Sequence, residues 1–281
     1  MHNDNRNFFL TLDLEEWFHL EYFQNYSVSK NNIFINRLDD FFLLLKKYNI
    51  KITVFVLAEL VKQNPDIISR IVDDGHEIAC HGLNHKLLYN KKYTQIEEEL
   101  FEARRILQDI SGQSVLGYRA PCFSMGDDKF EILKRIGFKY DSSYIKFDQH
   151  KLYNTLKLDG FSKINDLIYK KDGFYEFEIP TLDIMGYNIP ISGGGYFRLF
   201  PYPLFRQLFK KYKNNNNNFV FYIHPFEVAY QKIKIPDVGL LTKFRFLVGR
   251  KSVLKNLEKF IIYLKEEGYV FYTFEEYISK S

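Results

Sequence analysis

The sequence predicts an α/β fold, a distorted (β/α) barrel formed by one domain over residues 1–281. Short runs rich in β-branched and aromatic residues alternate with longer segments of helical period, the order of repeated βα units. Reactive polar side chains directly follow several of these runs, and the C-terminal strand ends of such a barrel converge on one mouth. No internal repeat or interdomain linker interrupts the 281 residues, a length that single α/β barrels commonly reach.

Taken in order, strands are expected at Phe8–Leu12, Ile52–Val56 and Glu77–Cys80, with helices over Ile33–Tyr48 and Pro65–Asp74 between them. Thr94, with Glu97 three residues on, reads as a capping box for a helix over Thr94–Ile110. Strands at Val115–Tyr118 and Phe138–Tyr140 flank a helix over Asp127–Ile136, and Gly75, Gly137 and Gly268 each follow a helical run. Ser142–Gly173 is polar and shows no clean period, so it reads as a long loop over the barrel mouth. It belongs to an excursion over residues 142–200 that includes a strand at Phe174–Ile179. A helix over Pro203–Tyr212, a turn at Asn214–Asn218 and a strand at Phe219–Ile223 follow. Residues 225–281 form a C-terminal segment with a helix over Ser252–Glu267 and a strand at Val270–Thr273.

With 46% hydrophobic residues, including 28 Phe and 21 Tyr, the chain can bury a large core, which excludes intrinsic disorder. A formal charge of only +4 argues against a nucleic-acid binder. Cys80 and Cys122 form neither a CxxC motif nor a disulfide framework and read as packed thiols in a reducing compartment. Acidic residues in MHNDNRNFFLTLDLEE interrupt any leader-like apolar run, and no apolar stretch approaches about 20 residues. The expectation is a soluble cytoplasmic protein.

The excess charge is local. Residues 1–229 hold 29 basic and 29 acidic side chains, whereas residues 230–281 hold 10 and 6. Lys243, Arg245, Arg250, Lys251, Lys255 and Lys259 face only Glu258 in sequence. This 243–259 region reads either as a solvated helix face or as a peripheral contact for an anionic lipid or lipid-linked glycan.

Asp13 follows FFLTL, His81 follows EIAC, Arg119 follows VLGY, Asp141 follows FKY and His224 follows FVFYI, so five reactive groups fall at predicted strand ends. His81 and His85 are four residues apart, a spacing that lets two imidazoles share one metal ion, although HxxxH alone is a weak pattern. A carboxylate is the expected third ligand. In TLDLEEW, strand alternation puts Asp13 and Glu15 on one side and Glu16 on the other, so Asp13 and Glu15 can act as base and ligand. A solvated pair at the strand end is the competing reading for Glu15 and Glu16. Trp17 and His19 fit either a sugar subsite or the core, and Gly193–Gly195 fits either close substrate approach or a turn. His76, His2 and His150 read as structural or surface residues.

TLDLEEW, HGLNH, GYRAP and YIHP occur in the order of the motifs of NodB-like polysaccharide deacetylases, the carbohydrate esterase 4 superfamily, which the chain resembles over nearly its whole length. The segments Asp13–Phe18, Arg119–Ser124, Gly193–Arg198 and His224–Glu227 resemble a branch with a D-x-E-E-W-F start and GGGYFR and H-P-x-E motifs. The resemblance implies Asp13 as catalytic base, His224 as general acid and Arg119 as the residue orienting Asp13 through a bidentate contact. It implies His81 and His85 as metal ligands, with Glu15 or Glu16 as the third, because Leu14 separates residues that are adjacent aspartates in common members. Asp141 corresponds to an acidic group that tunes the histidine, and Trp17, Pro121, Phe123, Gly194, Tyr196 and Arg198 correspond to substrate-contacting segments. The implied cofactor is one divalent ion, Zn2+ by default, with Co2+, Ni2+, Mn2+ or Fe2+ also compatible. The implied activity is removal of an N-acetyl group from a polysaccharide, oligosaccharide or lipid-linked glycan. The alternatives are an allantoin-like amide, an O-acetyl ester, or glycan binding without catalysis.

Overall fold

In the computed structural model, which describes residues 6–23, 26, 33–89, 91–126, 129–147, 156–233 and 235–280, alternate residues of the first strand enter different cores. Phe8, Leu10 and Leu12 pack outward into a large core shared with the helices, while Phe9 points into a smaller inner core. The twofold period of a strand carries Thr11 and Asp13 along the same inner side as Phe9. This alternation places reactive groups above an apolar plug.

The first half of the chain runs β1 (Arg6–Leu14), α1 (Asp39–Lys47), β2 (Thr53–Val56), α2 (Ala58–Lys62), α3 (Pro65–Asp73), β3 (Glu77–Cys80), α4 (Tyr93–Ser111), β4 (Gly117–Tyr118), α5 (Phe130–Ile136) and β5 (Tyr140–Asp141). Strands β6 (Ser162–Lys163), β7 (Ile168–Lys171), β8 (Phe174–Phe177), β9 (Thr181–Ile184) and β10 (Tyr187–Pro190) follow. The remainder is α6 (Gly194–Leu199), α7 (Tyr202–Lys213), β11 (Asn218–Ile223), α8 (Pro225–Val228), α9 (Leu240–Leu247), α10 (Val253–Glu266), β12 (Tyr269–Phe271) and α11 (Phe274–Lys280).

The main sheet has the order β11-β1-β2-β3-β4-β5-β8-β7-β6, parallel from β11 through β8. It curls into the expected distorted barrel. One edge of β1 is shared, with β12 pairing at Arg6–Phe8 and β2 at Thr11–Leu14. The inner core of Phe9, Phe55, Phe177, Val220 and Phe274 closes the lower barrel, with Phe274 and Phe177 centroids 4.1 Å apart. The Phe274 amide donates to Thr53 Oγ1, so α11 is pinned beneath the strands.

Two local expectations change. The Ser142–Gly173 segment contains β6 and β7, which extend the sheet edge as antiparallel strands where a loop is expected, while its residues 148–155 lie outside the described residues. Its weak period reflects exposure, since both residues of β6 face solvent. Helix α4 begins at Tyr93, and Gln95 Oε1 accepts the Lys92 amide, so Thr94 and Glu97 lie inside the helix and form no box. The expected start at Asp127, with His2 and His150, falls outside the described residues.

Outside the sheet, Phe260 of α10 meets the rings of Phe8, Phe197, Phe205, Phe209 and Phe221 at centroid separations of 4.9–6.2 Å. Removing this fully buried ring would leave a cavity lined by other rings. Phe260→Ala is therefore expected to lower unfolding free energy by about 3–5 kcal/mol in urea denaturation.

Candidate active site

Four inner-facing strand ends supply the site: Asp13 from β1, His81 after β3, Arg119 after β4 and His224 after β11. Glu15 and His85 join them from the following turns. All are nine-tenths or more buried except His224, which is partly exposed.

Arg119 is the fully buried centre of the polar layer. Its Nη1 donates to Asp13 Oδ1 at 2.7 Å and Thr11 Oγ1 at 2.8 Å, while Nε and Nη2 donate to Ser142 O and Oγ at 3.0 and 2.9 Å. The contact to Asp13 therefore uses one nitrogen, not the expected bidentate fork, because the other edge of the guanidinium holds Ser142. The Phe55 ring lies under the guanidinium, 4.0 Å from its carbon.

The Arg119 carbonyl lies 2.9 Å from His81 Nδ1. A carbonyl only accepts, so Nδ1 carries the proton and Nε2 presents its lone pair, the tautomer a metal ligand needs. Burial first, opposed by Asp13 and reinforced by His85, lowers the His81 pKa to about 4 and keeps the ring neutral.

Glu15, His81 and His85 have ligand atoms within 4.8 Å of one another. Glu15 Oε2 lies 2.6 Å from His85 Nε2, yet it is buried without an aligned hydrogen-bond partner, as is His85 Nδ1. Three ligand atoms this close, one from each of two imidazoles and a carboxylate whose Oε2 lacks an aligned hydrogen bond, fit the donor set of a divalent transition metal. Burial raises the Glu15 pKa, but His85, then His224 and His81, outweigh it and bring it to about 2. Glu16 is turned away. Its Oε1 accepts the Ile35 amide at 2.8 Å, and burial raises its pKa to about 7. Neither glutamate is a solvated strand-end residue, and Glu15 is the one beside both histidines.

On the opposite side, His224 Nε2 lies 3.3 Å from Glu15 Oε1 and Nδ1 lies 3.1 Å from Glu227 Oε2. The His224 amide also donates to Glu227 Oε2 at 3.0 Å, a cap fixed by the i to i+3 spacing at the start of α8. Burial lowers the His224 pKa, but Glu227 first and then Glu15 and Asp13 raise it to about 9. Arg198 Nε donates to Glu227 Oε1 at 2.8 Å, and its Nη1 donates to the carbonyls of Arg245, Phe246 and Val248 at 2.9–3.3 Å. Burial, which raises the Glu227 pKa, is outweighed by Arg198 and His224, so that carboxyl lies at about 2. Sequence reasoning noted Glu227 within a motif without giving it a role. The signal available was its cap spacing from His224.

A cleft of about 400 Å³ opens over these groups, lined by Asp13, Glu15, His81, His85 and His224 and by Cys122, Phe123, Tyr196 and Arg245. Phe123 and Tyr196 thus lie where substrate contact was expected. Trp17 does not. It is buried, packing on Phe23 and Phe246 at 5.2 and 5.8 Å. Pro121 lines a separate small void behind Gly82. Arg198 borders the cleft, but its guanidinium is committed to Glu227 and α9. Gly194 is buried because Glu227 passes against it, and a Cβ there would sit 1.9 Å from Glu227 Oε2. Asp141 does not tune His224. It accepts from Ser143 Oγ at 2.8 Å beside Glu176, and burial raises both carboxyls. The acid beside His224 is Glu227. Cys80 is a buried thiol, with burial pushing its pKa up to about 12.

Residues 36–140 match the polysaccharide deacetylase family, and residues 142–278 match a domain of unknown function, DUF3473. A peptidoglycan deacetylase of Helicobacter pylori is 31% identical over 129 residues, 46% of this chain and 44% of that protein. The chain thus spans less than half the length of that curated relative. A solved Mycobacterium smegmatis structure assigned as a polysaccharide deacetylase covers 100% of the chain and 92% of its own, with a TM-score of 0.63 at 17% identity. The PuuE allantoinase covers 99% and 91%, with a TM-score of 0.62 at 19% identity. These two share the fold. The architecture is the curled barrel of the NodB-like class. Residues 36–140 are thus similar in sequence to polysaccharide deacetylases, and the whole chain shares the fold of NodB-like structures of the carbohydrate esterase 4 type.

The close approach of Glu227 to Gly194 gives a stability test. Gly194→Ala should lower unfolding free energy by about 1–3 kcal/mol in thermal denaturation, since the buried Glu227–Arg198 pair must shift. Unchanged stability would contradict this packing.

Proposed function

We propose that the protein is a metal-dependent hydrolase that removes the N-acetyl group from an acetamido sugar of a glycan, releasing acetate and an amino sugar. One observation carries this reading: the Glu15, His81 and His85 donor set lies in a cleft with an Arg119-held carboxylate and a Glu227-held imidazole. That arrangement supports a reading with a ligand set, a base and an acid, in which Arg119 holds both Asp13 and His81 and Glu227 holds His224. The peptidoglycan deacetylase relative favours a polymeric glycan as substrate.

The ion, zinc being the first choice for this donor set, would supply Lewis-acid polarisation of the acetamide and a more acidic water. Glu15 Oε2, His85 Nε2 and His81 Nε2 would hold it, with His81 fixed by the Arg119 carbonyl. Asp13 takes a proton from water as its oxygen attacks the acetyl carbon. Arg119 stabilises the ionised Asp13 and points it into the cleft. His224, protonated at Nε2, gives its proton to the departing sugar nitrogen as the carbon–nitrogen bond breaks. Glu227 holds Nδ1 and stabilises the imidazolium. Phe123 and Tyr196 offer aromatic surface to the sugar.

Asp13→Asn should reduce acetate release by about 10²–10⁴-fold while bound metal, measured by elemental analysis, is retained. His81→Ala should lose both. Glu227→Gln should lower kcat by about 10–100-fold with metal content unchanged, the scale of a lost supporting contact. Chelation should abolish acetate release from N-acetylated glycans, and restored divalent ion should return it. Full turnover after metal stripping, or release from O-acetyl esters alone, would contradict the assignment.

A further inference from the structure

Among the described residues of α9, only Phe246 is buried, against Trp17 and Phe23. The outer side of this helix is also apolar. Leu240, Leu241, Phe244 and Leu247 are 85%, 62%, 52% and 51% exposed. Their spacing places them along one stripe of a two-turn helix. Single exposed apolar residues are ordinary, but a contiguous stripe marks an interaction surface.

The flanks of this stripe are cationic. From Val238 to Leu257 the sequence contains no Asp or Glu. Lys243 pairs with exposed Asp237 at 3.2 Å, whereas among the described residues neither Arg245 nor Lys251 has a carboxylate partner. Tyr230, 44% exposed, lies 5.6 Å from Lys251 Nζ and adds an aromatic edge. The six-residue basic face expected from sequence is not one surface. Arg250 is buried, donates to the Phe226 carbonyl and lies among the rings of Phe34, Phe226 and Phe246. Glu258 is paired with Lys47 at 2.7 Å.

We propose that α9 docks the protein on an anionic phospholipid bilayer, with its leucine and phenylalanine stripe entering the headgroup boundary and Arg245 and Lys251 meeting lipid phosphates. An apolar stripe framed by cations without carboxylate partners is the pattern of an interfacial helix. A second copy packed through the same helix would bring no Asp or Glu from residues 238–257 to meet Arg245 and Lys251, whereas a phospholipid surface supplies the anions. Arg245 and Val248 also line the catalytic cleft, and Leu199, 43% exposed, stands at its rim. Docking through α9 therefore sets the cleft beside the membrane, within reach of a glycan held there. Membrane binding is read without substrate, so it stands or falls separately from the deacetylase assignment.

The test is co-sedimentation of the full chain with phosphatidylglycerol-containing vesicles and with pure phosphatidylcholine vesicles, alongside light scattering of the protein alone. Wild type should bind the anionic vesicles, and binding should weaken as ionic strength rises from about 0.1 M to about 1 M. Leu241→Ser with Phe244→Ser should weaken binding by about tenfold or more, with unfolding temperature unchanged. Lys251→Gln should weaken it by about fivefold on anionic vesicles only. Failure of wild type to bind, equal binding by wild type and the double serine variant, or a wild-type dimer dissolved by that variant would overturn the proposal. The last result would assign the stripe to a second copy of the chain.

Discussion

The site depends on one buried cation. Arg119 is fully enclosed, so its charge must be met by fixed partners, and removing any of them would leave an uncompensated group in a low-dielectric interior. Its guanidinium ties Asp13 and Thr11 of β1 to Ser142 beyond β5, and its backbone carbonyl sets the His81 tautomer. A single residue thereby orients a carboxylate and a candidate metal ligand from different strands. Phe55 below and Tyr222 and Phe123 nearby keep water from competing for the guanidinium.

A second polar chain supports the other side of the cleft. His224 is held by Glu227, Glu227 by Arg198, and Arg198 by carbonyls at the end of α9. Gly194 permits the approach because any side chain would occupy the Glu227 position. His81, His85 and Arg119 fall within the segment matching polysaccharide deacetylases, whereas His224, Glu227 and Arg198 fall within the DUF3473 segment. Both segments line one cleft, together with Asp13 and Glu15, which precede them. The DUF3473 segment thus supplies a supported histidine rather than a separate covering domain.

The barrel was legible because short runs rich in β-branched and aromatic residues, such as FFLTL, ITVFV and FVFYI, alternate with segments of helical period. The same pattern exposed Asp13, Glu15, His81, Arg119 and His224, since polar residues at the end of an apolar inner row stand out. What sequence could not give was the partner of each side chain. Asp141 and Glu227 are both acidic residues near a strand end, but only the i to i+3 cap brings Glu227 onto His224. Trp17 and Arg198 look like ligand contacts in a motif, yet aromatic packing and a buried ion pair claim them. The β6–β7 extension was missed because exposed edge strands need no hydrophobic alternation.

The central claim is that Glu15, His81 and His85 converge to hold one divalent ion between Asp13 and His224. The most direct measurement is anomalous X-ray scattering from crystals of the protein loaded with zinc. The account predicts one dominant peak ligated by Glu15, His81 Nε2 and His85 Nε2, with Asp13 outside the ligand set and still bound to Arg119. A peak ligated by Asp13 or Glu16 in place of Glu15, or zinc bound only elsewhere on the protein, would contradict it.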